Sequence, residues 1–424
     1  MLLNKLTSLK IVLLVFACVM LLPNVIDAIP WPVLQGNPFH SIGNTYGEYQ
    51  AYGGAPYYHP GLDVLVPAGT PVYAVKAGWV KAVLTTSAQW HWRVAIGDNA
   101  GAAECDGWLY AHLDQPTIQV LPGDWVNEGD YLGNIVEWPT SAFHHIHFVK
   151  IRNSGQPWAA DWDFIANPLD ELEGIQDLYK PVIENCYPEQ KFAFFADGTH
   201  TYFALGSVLS GNVDVLARVG DRINHLSWLC SPYTVAYEIR NDTMTTGLIH
   251  SATFTGQLFY DQNVNVVFQD DVQFDTRGDY DARVFYHIIT NTDGDSVIEA
   301  SDVQGCWRTT DFNDGWYWVK VFVSDRDGFD GVHFDTVDSM QIEVRNCRCS
   351  NFCDLNRDGT INPIDVVMIV NFVYKSLDQR QQIPGCPGDN GDWNCDGAIN
   401  PVDVVFYVNS VYKQLGSPCD PCSP

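Results

Sequence analysis

The stretch HPGLDVLVPAGTPVYAV, residues 59–75, decides the fold of the N-terminal part of the chain. It opens with the pattern H-x-x-x-D, formed by His59 and Asp63. Pro60 and Gly61 lie between them and disfavour an ordinary helix. We therefore expect the pair to converge from a turn and the strand that follows it. An imidazole and a carboxylate both suit zinc, which binds them at about 2 Å. The short apolar runs around this stretch are broken by Gly and Pro, which predicts a β-rich domain over residues 29–170.

Further histidines follow in the same region. Residues 144–151 read HHIHFVKI. Because side chains alternate between the two faces of a strand, His145 and His147 should share one face and His144 should take the other. His112 ends a short apolar strand, residues 110–113. A single histidine is most often a hydrogen-bonded structural residue. Three such patterns in one compact region predict a metal centre instead.

Residues 59–151 resemble the lysostaphin/LytM-type zinc endopeptidases. The motifs of that family are H-x-x-x-D, a histidine in a Tyr-x-His-Leu context, and H-x-H on a late strand. The resemblance implies that His59, Asp63 and His147 bind one catalytic zinc ion. It implies that His112 and His145 are the catalytic pair, and which of the two acts as the base stays open.

The same resemblance implies a secreted endopeptidase that cuts peptide bonds in peptidoglycan or in glycine-rich peptides. Two alternatives stay open. One is a non-catalytic, surface-tethered wall-binding or adhesion protein that keeps the metal fold for binding. The other is a secreted protease that acts on proteins and differs only in its groove.

An internal repeat occupies the tail, residues 350–424. Residues 354–367 and 392–405 both read D-x-N-x-D-G-x-I-N-P-x-D-V-V. Side-chain oxygens at positions 1, 3, 5, 9 and 12, a glycine at position 6 and a carbonyl at position 7 form the ligand pattern of a calcium loop. The predicted ligands of two structural calcium ions are Asp354, Asn356, Asp358, Thr360, Asn362 and Asp365, and Asp392, Asn394, Asp396, Ala398, Asn400 and Asp403.

Each loop of the repeat continues into a predicted helix. An asparagine followed by proline is typical of an N-cap and the first helical position, and an apolar run follows in both copies. The pair of loops, each with one helix, resembles type I dockerin modules. This resemblance implies a cohesin-like partner and hence attachment to a scaffold or surface.

Residues 186–347 also have strand-like texture. Apolar or alternating runs such as residues 213–219, 233–239, 264–268 and 316–323 lie between turn residues. The pattern predicts a β-sandwich and resembles the immunoglobulin-like accessory domains of secreted enzymes. Residues 171–185 are predicted to be a connector. The whole chain is thus expected to be mainly β, with a small α-helical tail.

The N-terminus predicts export. Lys5 and Lys10 precede an apolar run, residues 11–22, and Ala28 offers a small residue at a cleavage point, so residues 1–28 read as a signal peptide. A lipoprotein signal at Cys18 is the alternative, which the bulky Phe16 disfavours. The run is shorter than the ~20 apolar residues of a membrane span, so no span is expected.

Charge and cysteine content agree with an extracellular chain. The 424 residues include 23 basic and 51 acidic side chains, a net charge of −28. Nucleic-acid binding needs phosphate neutralisation by Lys and Arg, so we expect no nucleic-acid partner. The chain has 12 cysteines, and those crowded in the tail favour disulfides in an oxidising compartment.

Overall fold

A computed structural model of the chain describes residues 28–86, 89–152, 164–255, 258, 261–278, 282–295, 297–326, 334–346, 351–383, 386 and 388–421. Apart from Ala28, the predicted signal peptide lies outside these residues. The architecture is mainly β, as expected from the sequence. Within the described residues, no helix has the length and apolar character needed to cross a bilayer.

An eight-stranded antiparallel sheet forms the first domain. Its elements, with four short strands that pair separately, are β1 (Ile42–Asn44), β2 (Tyr49–Gln50), β3 (Tyr57–Tyr58), β4 (Leu62–Leu65), β5 (Pro71–Tyr73), β6 (Gly78–Leu84), β7 (Arg93–Gly97), β8 (Gly107–Ala111), β9 (Trp125–Val126), β10 (Tyr131–Asn134), β11 (His145–Ile151) and β12 (Ile165–Ala166). The strand order is β1-β4-β11-β8-β7-β6-β9, with β12 beside β11. Strand β2 pairs with β3, and β5 pairs with β10.

Both faces of this sheet are buried at its centre. Val64, Tyr110 and Phe148 belong to the core on one face, whereas Leu109 and Val149 belong to a second apolar cluster on the other. Alternation along β8 and β11 explains this division.

The second domain is a β-sandwich. Its elements are β13 (Val182–Glu184), β14 (Phe192–Ala196), β15 (Asn212–Gly220), β16 (Thr234–Arg240), β17 (Ile249–Thr253), α1 (Val264–Val267), β18 (Tyr286–Ile288), β19 (Trp307–Arg308), β20 (Gly315–Ser324) and β21 (Thr336–Val344). One sheet has five strands centred on β15, and the other has the order β17-β16-β20-β21. Inward side chains of both sheets, among them Phe194, Val215 and Val321, share one core.

Two details of this domain differ from the sequence-based expectation. The run 264–268 is not a strand, because α1 occupies it and Asn263 precedes it in the left-handed conformation with φ 61°. Packing of this apolar run against the first domain overrides its β propensity. Strand β13 lies inside the segment expected to be a connector and pairs with β15.

The two β domains share an apolar interface. Phe254, Val264 and Phe268 of the second domain pack in one cluster with Leu109 and Val149 of the first. The sandwich therefore covers one face of the first domain's sheet, the face on which the alternation also places His145 and His147.

The tail contains the two expected helices, α2 (Pro363–Lys375) and α3 (Pro401–Lys413). Asn362 and Asn400 cap them, and each forms a reciprocal capping box with the aspartate three residues later. Cys395 and Cys419 form a disulfide. Buried Cys353 is a free thiol, so the tail is only partly stapled among the cysteines that the structure describes.

Candidate metal centre

Strand register brings the predicted site residues together. In the antiparallel pairing, His147 on β11 lies opposite Asp63 on β4 and, on its other side, opposite Ala111 on β8. His112 directly follows Ala111. His59 lies in the turn before β4, where Pro60 and Gly61 end the extended backbone. Four residues from three distant segments of the chain thus meet because three neighbouring strands pair in this register.

His59, Asp63 and His147 form the tightest part of the site. Nδ1 of His147 is 2.8 Å from Oδ1 of Asp63 and 3.1 Å from Nε2 of His59. Nε2 of His59 is 3.3 Å from the same carboxylate oxygen. The three atoms all lie within 4.8 Å of one another, close enough to hold one metal ion between them. Two ring nitrogens and a carboxylate are the donor types of a zinc site, so these residues fit that metal.

Backbone carbonyls orient three of the histidine rings. Nδ1 of His59 donates to the carbonyl of Thr45 at 2.9 Å, and Nδ1 of His145 donates to the carbonyl of Phe143 at 2.7 Å. Nδ1 of His112 donates to the carbonyl of Trp90. These bonds fix the tautomers and leave each Nε2 for the site, as second partners commonly do around metal-binding histidines.

His112 and His145 lie next to each other beside this group. Their ring centroids are 4.5 Å apart, and Nε2 of His145 is 3.7 Å from Oδ2 of Asp63. The backbone of His112 is left-handed, with φ 67°. A non-glycine residue held there is strained, and such strain is concentrated at functional sites. His144 is not in the cavity: its Nδ1 accepts from the backbone N–H of Ala68 at 3.3 Å.

An open cavity of about 410 Å³ gives access to these side chains. Trp138 forms part of its wall and packs against His112, with centroids 4.5 Å apart, and against His145 at 4.8 Å. Trp90 contacts Trp138 at 6.4 Å. Trp138 thus gives the cavity an aromatic wall next to the histidines, and the sequence alone does not single out this residue.

The environment sets the protonation of the site. Burial lowers the pKa of His145 and His147, and burial with the neighbouring His145 holds the pKa of His112 well below its usual range. Burial raises the pKa of Asp63, but the imidazoles of His59 and His145 outweigh it and keep that pKa well below normal. At neutral pH the group therefore offers a carboxylate and mostly neutral rings. Burial lowers the pKa of His59, yet Asp63 outweighs burial and raises it, so protons compete more strongly with a metal ion for this ring than for the others.

A polar chain behind Asp63 was not foreseen from the sequence. Asn44 on β1 lies opposite Asp63, and its Nδ2 donates to Oδ2 of Asp63 at 2.5 Å. Oδ1 of Asn44 in turn accepts from Nη2 of Arg283. Arg283 comes from the sandwich domain and also lines the cavity. The accessory domain therefore reaches the metal centre through one intervening side chain.

Arg283 is itself held by several acceptors. Its Nη1 donates to the carbonyls of Gly43 and Leu229, and it lies 3.4 Å from Oε1 of the fully buried Glu48. Burial raises the pKa of Glu48, and Arg283 opposes that rise. The one signal for Arg283 in the sequence was a lone charge between apolar residues at 282–285.

The predicted calcium ligands lie in two short loops before α2 and α3. Oδ2 of Asp354 accepts from the N–H of Gly359 at 2.7 Å, and Oδ2 of Asp392 accepts from the N–H of Gly397 at 2.9 Å. The Asp365 carboxylate accepts from the N–H of Leu355 in the loop and also from the N–H of Asn362 at the start of α2, where it acts as a helix cap. Among the described residues, the carboxylates of the three aspartates do not all lie within 4.8 Å of one another in either loop, whereas the ligand atoms of His59, Asp63 and His147 do. The other predicted oxygen donors of the two loops are Asn356, Asp358, Thr360, Asn362, Asn394, Asp396, Ala398, Asn400 and Asp403.

Comparison with known families identifies two parts of the chain. Residues 57–159 match the model of peptidase family M23, and residues 352–411 match the dockerin type I domain. The chain thus contains an M23 domain, the group to which lysostaphin/LytM-type peptidases belong, and a dockerin type I domain. Both resemblances drawn from the sequence are confirmed.

Several solved structures are similar to the chain. The catalytic domain of lysostaphin from Staphylococcus simulans is 24% identical, with 31% of this chain and 90% of that chain covered and a TM-score of 0.25. A zinc-containing peptidase from Vibrio cholerae is 25% identical, with 32% and 40% covered and a TM-score of 0.25. A mutant catalytic domain of a prophage-encoded M23 protein from Enterococcus faecalis is 26% identical, with 26% and 76% covered and a TM-score of 0.21. No curated protein sequence gives a significant match.

Removing the amide behind Asp63 should weaken metal binding. In Asn44→Ala, Asp63 loses a donor and Arg283 loses an acceptor, so we expect the dissociation constant for zinc to rise about 10-fold, the lower end of the usual cost of losing an outer partner. Competition with a chromophoric chelator measures this. Asn127→Ala, in an exposed hairpin of the same domain, is the matched control and should leave the constant unchanged.

Arg283 should act through Asn44. We expect Arg283→Met to raise the dissociation constant for zinc, as Asn44→Ala does. The double variant should have a dissociation constant no higher than that of the more impaired single variant, because both changes break one chain of contacts. The same chelator competition on the four proteins completes the cycle. Fully additive losses would contradict this coupling.

Proposed function

We propose that the chain is a secreted zinc-dependent endopeptidase that hydrolyses peptide bonds in peptidoglycan stems or cross-bridges. The observation that carries the proposal is the convergence of His59, Asp63 and His147 beside a second pair of histidines in an open cavity. The M23 match over residues 57–159 supports the same reaction class. The alternative of a wall-binding protein without activity would need no histidine pair beyond the metal ligands.

The protein side chains divide the chemistry between them. His59, Asp63 and His147 would hold the zinc ion, which supplies Lewis-acid chemistry by polarising a carbonyl and lowering the pKa of a water molecule from ~16 toward ~7. His112 and His145, with their Nδ1 atoms bonded to carbonyls, keep Nε2 for the substrate. A neutral imidazole there takes a proton from the attacking water and returns one to the leaving amine.

The second histidine has a separate role. Because its Nδ1–H already bonds to a backbone carbonyl, this imidazole can donate to the substrate only when Nε2 is protonated as well. In that form its Nε2–H would donate to the oxygen on which negative charge develops, an interaction worth about 2.7–4 kcal/mol in related sites. Trp138 packs on both rings and keeps them from rotating. The cavity beside them takes the extended peptide, and its aromatic wall is suited to contact with peptide backbone.

The tail supports attachment to a larger assembly. In α2 and α3, equivalent apolar residues of the repeat are exposed, including Val367 with Val405 and Tyr374 with Tyr412. An apolar surface repeated twice on a domain of the dockerin type suits a cohesin-like partner. We propose that two calcium ions fold the loops and that the exposed faces bind that partner outside the cell.

Substitution of single histidines tests the enzymatic role. We expect His145→Ala to lower peptidoglycan hydrolysis by at least about 10²-fold while one zinc ion per chain is retained, and His147→Ala to lose both zinc and activity. Metal content by mass spectrometry and release of soluble muropeptides are the measurements. His144→Ala, which changes a histidine outside the cavity, should behave like the wild type. Full activity of both active-site variants would refute the assigned roles.

The substrate class can be read from the products. Purified peptidoglycans with direct, glycine-containing and other cross-bridges should be digested, and the fragments analysed by mass. We expect new amino termini within stem or bridge peptides, with glycans intact. Cleavage of unfolded proteins but of no peptidoglycan would favour the alternative of a protease acting on proteins.

Calcium removal should unfold the tail selectively. Without a cation, the carboxylates of each loop repel one another, so a chelator should speed amide hydrogen exchange in α2 and α3 while the sandwich core stays protected. The measurement is exchange followed by mass spectrometry on the full chain. A double variant, Asp354→Ala with Asp392→Ala, should show fast exchange already in calcium. Equal protection of both helices with and without calcium would contradict the prediction.

A further inference from the structure

Three aspartates converge at the junction of the first domain and the sandwich, away from both sites described above. Asp177 lies in the segment that leaves the first domain, Asp221 follows β15, and Asp325 follows β20. One carboxylate oxygen from each lies within 4.8 Å of the others. The three residues come from distant parts of the sequence, and β15 and β20 belong to opposite sheets of the sandwich.

Two of these carboxylates are buried. Asp221 is 1% exposed and Asp325 is 6% exposed, while Asp177 lies half-buried at the rim. Asp335 nearby adds a further negative charge that acts on Asp221. Asp325, Asp177 and Asp335 all act on Asp221, and like charges close together disfavour its charged form.

An unsatisfied oxygen points to a missing ligand. Oδ1 of Asp221 accepts from the N–H of Arg222 at 2.7 Å, but Oδ2 is buried and has no hydrogen-bond partner. Among the described residues, no lysine or arginine forms an ion pair with Asp221. A buried carboxylate oxygen without any donor is costly, and this one belongs to the group whose three oxygens converge.

The chemistry of the ligands selects the cation. All three ligands are carboxylate oxygens, which suit a hard cation. Calcium accepts several protein oxygens in a flexible geometry, whereas Mg²⁺ usually keeps several waters and takes one or two carboxylates. Three converging carboxylates therefore favour calcium. A cavity of about 10 Å³ borders Asp221 and Asp325, close to the volume that one water-sized sphere needs.

We propose that Asp177, Asp221 and Asp325 form a third calcium site, which fastens the segment leaving the first domain to both sheets of the sandwich. The loop after Asp221 already contacts that segment: the N–H of Asn224 donates to Oδ1 of Asp177 at 3.2 Å, and the Asn224 side chain donates to the carbonyl of Gln176 at 2.7 Å. Ile42, at the start of β1, donates to the carbonyl of Ile223 at 3.0 Å. The site would therefore stiffen the junction from which β1 carries Asn44 to Asp63.

Counting bound calcium on the full chain tests the site independently of peptidase activity and of the tail. After chelation and equilibrium dialysis against calcium alone, we expect Asp221→Asn to bind one calcium ion fewer per chain than the wild type. Asp242→Asn, in an exposed turn, is the matched control and should bind the full number. Equal calcium in Asp221→Asn and wild type would overturn the proposal.

Amide hydrogen exchange in individual peptides then locates the ion, and thermal unfolding shows whether the variant is folded. In the wild type, calcium should slow amide exchange in peptides spanning residues 175–179 and 219–224 by at least about 10-fold, and Asp221→Asn should lose this response. Because the amide removes like-charge repulsion, that variant in chelator should unfold at a temperature no lower than the wild type in chelator. If Asp221→Asn does not fold, Asp177→Asn at the rim provides the same test. Calcium-independent exchange of these peptides in the wild type would show that protons alone neutralise the group.

Discussion

The pairing of β4 between β1 and β11 is the constraint on which the metal centre depends. It places Asp63 directly between Asn44 and His147, so that the Asp63 carboxylate contacts the His147 ring through one oxygen and the Asn44 amide through the other. A shift of one residue in either pairing would turn these side chains to the opposite face. The apolar residues that alternate with them, including Val64 and Phe148, are buried on that opposite face and hold the register.

One face of the first domain's sheet both packs against the sandwich and lines the cavity, in different parts of its surface. Toward its centre, small and apolar side chains of β8 and β11 pack against the sandwich. Toward one end, His145 and His147 line the cavity, and Arg283 from the sandwich closes part of its wall. The accessory domain is therefore part of the first domain's structural support and contributes to the position of Asp63 through Asn44. This arrangement explains why a buried arginine and the buried Glu48 lie so close to a metal centre.

Local patterns in the sequence were sufficient for much of this account. Strand parity predicts that His145 and His147 share a face, and the asparagine-proline pairs predict where α2 and α3 begin. Both depend on interactions between residues close in sequence. The sequence does not predict the roles of Asn44, Trp138 and Arg283, because these roles depend on pairing and packing between distant segments. The composition of residues 264–268 predicts a strand, whereas packing against the neighbouring domain favours the short helix over residues 264–267.

The most direct test of the central claim is an anomalous difference map at the zinc absorption edge, collected from crystals of the purified full chain. We expect one strong peak about 2 Å from Nε2 of His59, Nδ1 of His147 and Oδ1 of Asp63. A peak bound by the tail cysteines, or an empty map around these three side chains in zinc-loaded protein, would contradict it.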